Sequence, residues 1–149
     1  MSEPSSPDEG SESRRTLAGS SRRKQSAGGA SIRRDLENFA TALSRIDERL
    51  RRVSASDRAD FHDGSASYDA ATLAIIRLHA LREASEYGGV FDVLTAEESN
   101  GLSRMRNIAS HTGYQAMDDA LLWDAATRLL PELLPRLRES AEQCLAPPR

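Results

Sequence analysis

From residue 31 onward the apolar positions fall at helical intervals. Leu36, Phe39, Leu43, Ile46, Leu50 and Val53 advance in steps of three and four, a single stripe that predicts a first helix over about 32–54. Arg45, Arg49 and Arg52 lie off that stripe, one turn apart, and read as a solvated face. Glu48 and Arg52 stand at the favourable i,i+4 spacing. A polar run, SASDRADFHDGSASYD, then breaks the pattern and predicts a loop. A second helix is expected over about 68–87, capped by Ser67 or Asp69. Its face would be Leu73, Ile76, Ala80, Ala84 and Tyr87, widened by Ile75, Leu78 and Leu81. A helix apolar around so much of its circumference needs neighbours on two sides, from its own bundle and from a second subunit.

Gly88–Gly89 ends that helix, and Thr95 with Glu98 forms a T-x-x-E capping box for a third. Leu102, Met105, Ile108 and Ala109 mark its buried side, and Gly113 is placed to end it in a left-handed cap. Asp118 or Asp119 opens a fourth helix through Leu121, Leu122, Trp123, Ala126 and Leu130. Pro131 and Pro135 then predict a kinked or separate fifth helix. No segment alternates with a period of two. The fold class is all-α, an up-and-down bundle of four to five helices.

Composition divides the chain in two. Residues 1–30 carry only Met1 and Leu17 as apolar side chains larger than alanine, too little to offset the entropy of ordering, so they read as a disordered tail. The folding domain is 31–149. The net charge of −3 excludes a general polycation, although Arg14–Arg15 and Arg22–Arg23–Lys24 make the tail locally basic. A single cysteine, Cys144, excludes an internal disulfide framework and a cysteine-based zinc site, and no metal site or cofactor is expected. No segment is apolar for long enough to cross a membrane, so a cytoplasmic protein is expected.

The residues that carry chemistry cluster in RNIASHTGY, 106–114. Arg106 offers a permanently charged fork of donors suited to phosphate. His111 titrates near neutrality and suits proton transfer. Together they are equipped to cleave RNA without a metal, the imidazole handling the proton and the guanidinium the developing charge. Asn107 lies four residues before His111, where its amide can orient the ring. Arg106 and His111 are five apart, about 140° around a helix axis, which suits a groove edge. In a chain with 20 basic residues, nearly all arginine, and 3 histidines, an Arg five before a His arises by chance roughly 0.4 times, so the spacing alone decides nothing. His62 reads as a solvated loop histidine, His79 as a core-edge residue and Trp123 as a core anchor.

The wider context is more specific. MRNIASHTGY followed by AMDDALLWDAATRLLPELL resembles the HEPN superfamily, and within it the HepT-like ribonuclease toxins of MNT–HEPN toxin–antitoxin pairs. Trp123 stands nine residues after Tyr114, Leu130–Pro131–Glu132–Leu133 matches the family's LP-x-L element, and Glu83–Ala84 its second-helix pair. The resemblance spans roughly 32–145. It implies a metal-independent endoribonuclease with Arg106 and His111 as the catalytic pair, at a cleft between two subunits of a homodimer. It also implies that Tyr114 accepts AMP from a partner nucleotidyltransferase antitoxin, which would block RNA by bulk and negative charge. The family has one residue between the histidine and the tyrosine; here Thr112 and Gly113 make two. The alternative is a non-catalytic HEPN-like module that binds a nucleotide or a nucleotidyltransferase partner.

Overall fold

The computed structural model describes residues 13–110 and 118–146, with side chains from residue 28 onward, and every regular element among them is helical. Helix α1 is Ser13–Ala55, α2 Ala66–Glu83, α3 Ala96–Ser110, α4 Asp119–Asp124 and α5 Leu130–Leu145. A π-helical turn, Ala125–Leu129, joins α4 to α5 without a break. The all-α expectation holds.

The stripe on α1 is the centre of the core. Phe39, Leu43, Ile46, Leu50 and Val53 are all buried, and Leu36 packs against them. Each such side chain contributes about 1.5–3 kcal/mol through removal of apolar surface from water. α1 starts at Ser13, however, not near residue 32, so 13–30 extends the helix rather than forming a structureless tail. No proline interrupts that stretch, and its glycines, Gly19, Gly28 and Gly29, weaken a helix without breaking it. An added Cβ at Gly28 or Gly29 would meet nothing within 4 Å, so α1 stands clear of the bundle at those two positions.

α2 starts earlier than its sequence suggests, because Ser65, not Ser67 or Asp69, caps it by accepting from the Tyr68 amide at 3.3 Å. Gly64 supplies the positive φ of 92° just before the cap. The buried face of α2 also differs from the expected one. Ala71, Ala74, Ile75 and Leu78 are wholly buried, whereas Leu73 is 37% exposed and Ala80 faces solvent. Two of those four are alanines, whose small side chains allow close approach to α1. The bulkier Leu73–Ile76 edge is turned outward. α2 ends at Glu83, and 3-10 turns at Ser85–Tyr87 and Val90–Val93 lead to α3.

The expected fifth helix begins at Leu130, with Pro131 in its first turn and Pro135 inside it. Pro131 cannot donate to the carbonyl one turn back, and its ring crowds that position. The π turn immediately upstream widens the backbone there, with the Leu130 amide donating to the Ala125 carbonyl five residues back. Asp118 caps α4, accepting from the Ala120 amide at 2.9 Å. Leu122, Ala126 and Leu130 enter the core as expected, but Leu121 is 68% exposed. Trp123 anchors the other end of the bundle, edge-on to Phe61 at 5.2 Å between centroids, with the Arg58 guanidinium 5.9 Å from its ring. Its role as a core anchor agrees with the sequence reading.

Candidate functional site

α3 carries the described part of the candidate site, and long-range polar contacts fix its position. The capping box is formed: the Glu98 amide donates to Thr95 Oγ1 at 3.1 Å and the Thr95 amide to Glu98 Oε2 at 2.8 Å. Arg136 on α5 reaches back to the same carboxylate at 2.7 and 3.2 Å and also donates to the Val93 carbonyl. That guanidinium and the Thr95 amide hold the Glu98 carboxyl below its ordinary range. Ser140, buried on α5, donates to the Val90 carbonyl at 2.7 Å. Arg82 on α2 ties down the other side, donating to the Ser99 carbonyl at 3.0 Å and to Ser103 Oγ at 2.7 Å.

One turn beyond Ser103 the helix presents Arg106 and Asn107, both exposed. Arg106 donates to Asn107 Oδ1 at 3.2 Å and has no carboxylate partner among the described residues. The fork therefore stays available to an incoming anion, and the Asn107 amide nitrogen stays available as a donor. His111 and Tyr114, with the glycine expected to end α3, lie outside the described residues. The pairing of Arg106 with His111 is therefore an expectation from sequence.

The fold adds His79 to this edge. α2 and α3 are consecutive helices joined by short turns, so they run in opposite directions. With Arg82 opposite Ser99 and Ser103, His79 one turn earlier lies within electrostatic reach of Arg106. Its side chain is only 13% exposed, and Nε2 lies 3.7 Å from Glu83 Oε1. Burial lowers the His79 pKa most. Glu83 draws it back up, while Arg106 and Arg82 push it further down. Sequence reading took His79 for a core-edge residue, and its burial agrees. Its place next to Arg106 was not foreseen, because only the pairing of two helices reveals it.

α3 packs chiefly on α2 and leaves an open groove of about 890 Å³ toward α4 and α5. Leu102, Met105, Leu121, Leu129 and Leu133 line it, with Glu97 and Glu132 among its polar residues. His62 is exposed beside the Asp63 carbonyl, as a solvated loop histidine should be. Cys144 is exposed rather than packed. Among the described residues no group of three or more His, Cys, Asp or Glu side chains is arranged to hold a metal ion, and no helix is long and apolar enough to cross a membrane. No family model, curated protein or solved structure matches the chain.

Proposed function

We propose that the chain is a HEPN-type endoribonuclease of the HepT kind, working in the cytoplasm as a homodimer. The observation that carries the reading is Arg106. It is an exposed guanidinium at the end of a helix anchored from both sides, steadied by Asn107 and not neutralised by any described carboxylate. In the proposed reaction His111 takes the proton from a ribose 2′-hydroxyl. The 2′-oxygen then bonds to the adjacent phosphorus while the bond from phosphorus to the 5′-oxygen breaks, and that oxygen receives a proton. Arg106 offsets the charge that builds on the non-bridging oxygens, and no metal takes part in the step. Asn107 acts on the orientation of the imidazole. AMP placed on Tyr114 by a nucleotidyltransferase antitoxin would set bulk and negative charge beside Arg106 and exclude RNA.

The test is cleavage of total tRNA and mRNA by the purified chain. Wild type should cut, and Arg106→Ala and His111→Ala should each lose at least a hundredfold in rate. Equal rates in the variants would remove both residues from the reaction.

A further inference from the structure

The flank of α2 that faces α1 holds a second cationic feature, apart from the Arg106 edge. Arg45 and Arg49 stand one turn apart on α1, and Arg77 comes alongside them from α2. The three border a cleft of about 270 Å³ floored by Ala42, Ile46 and Leu81, and no carboxylate lines it. None of the three is in an ion pair among the described residues. Their neighbours on α1 differ. Arg51 is held by Asp47 at 2.9 Å and Arg52 by Glu48 at 3.1 Å, which occupies both acids of this stretch of α1.

Three guanidiniums that never lose their charge repel one another, and no carboxylate in the lining of the cleft offsets that repulsion. We infer that the Arg45–Arg49–Arg77 cleft is a phosphate-binding site that takes a backbone phosphate of RNA. A carboxylate satisfies one guanidinium fork in bidentate fashion. A backbone phosphate has two free oxygens set on a tetrahedral centre, which forks from two helices can approach from different directions. The volume falls below the roughly 300–1,000 Å³ of pockets that enclose drug-sized ligands, which suits one phosphate with part of its sugar. Naming RNA as the source rests on the proposed function. The phosphate chemistry does not.

The experiment measures binding of a labelled single-stranded RNA of twenty nucleotides across a salt series. It uses wild type, the triple variant Arg45→Gln/Arg49→Gln/Arg77→Gln, and the control Arg51→Gln/Arg52→Gln, all with matched circular dichroism and melting temperature. Each phosphate contact contributes about 0.7 to the slope of log affinity against log salt on a single strand, so losing the one phosphate held here should flatten the slope of the triple variant by about 0.7. It should also bind at least tenfold more weakly at low salt, with the control within about threefold of wild type. If the triple variant and the control behave alike, the site is overturned. In a second arm, pyrophosphate should raise the melting temperature of wild type and control but not of the triple variant. That result without RNA binding would keep the phosphate site and assign it a free phosphate source, whereas equal shifts in all three proteins would count against it. RNA binding with no cleavage by wild type would sink the ribonuclease reading and leave this site standing.

Discussion

The two flanks of α2 use arginine in opposite ways. Toward α3, Arg82 is tied to a backbone carbonyl and a serine hydroxyl, and holds two helices in register. Toward α1, Arg77 joins Arg45 and Arg49 around a cleft with no acid in its lining. The residue type is the same and the helix is the same, yet one guanidinium serves the fold and the other is left to a ligand. In an arginine-rich chain the count of basic residues therefore says little; their partners say more.

Substitutions should separate the flanks by size of effect. The packing between them comes first, since Leu78 is wholly buried and Leu73 is not. Leu78→Ala should cost about 2–5 kcal/mol in chemical denaturation, and Leu73→Ala well under half of that. Comparable losses at both positions would mean that α2 is rotated from the orientation described. Next, Arg82→Ala should cost about 1–3 kcal/mol, because a carbonyl and a hydroxyl on α3 lose their donor. Arg77→Gln should change stability by no more than about 0.5 kcal/mol, as expected for an exposed side chain with no partner. If Arg77 proves as costly as Arg82, the contrast fails.

Acidity offers smaller and finer tests on the α3 side. The folded His79 pKa lies below the ordinary 6.5, so between those two values the unfolded chain binds a proton that the folded chain does not. Stability should fall as pH drops below about 6.5, and His79→Gln should flatten that part of the profile. Glu98 acts at lower pH. Its folded pKa lies below the ordinary 4.5, so its contribution is full above 4.5 and is lost as pH falls through the folded value. Glu98→Gln should remove that part of the acid limb, read by urea titration at a series of pH values.

The sequence makes some of this legible because the relevant signals are local. The α1 stripe and the Thr95–Glu98 capping box depend on residues within a turn or two of each other, and both formed as read. The face of α2 was misjudged because its periodicity is satisfied on two sides, and the small alanines, not the leucine, marked the close-packed one. Pro131 marked the start of the expected fifth helix, which begins at Leu130, and a π turn links it to α4 by shifting one hydrogen bond to five residues back. Arg82–Ser103 and Arg136–Glu98 join residues far apart in the chain, so no local pattern announces them. The cleft was half legible: Arg49 and Arg77 have no acid three or four residues away on either side, a sign that neither is neutralised within its own helix. Arg106 was read from sequence as a site residue and stands exposed on α3, while His79 emerged beside it only through the fold.

The central claim is that Arg106 works on RNA and not on the fold. The measurement is single-turnover cleavage of a defined RNA, with a chelator present, by wild type and Arg106→Ala at matched melting temperature. Wild type should cleave and the variant should lose at least a hundredfold in rate, with stability unchanged. Equal cleavage by the two proteins, or no cleavage by wild type, would contradict it.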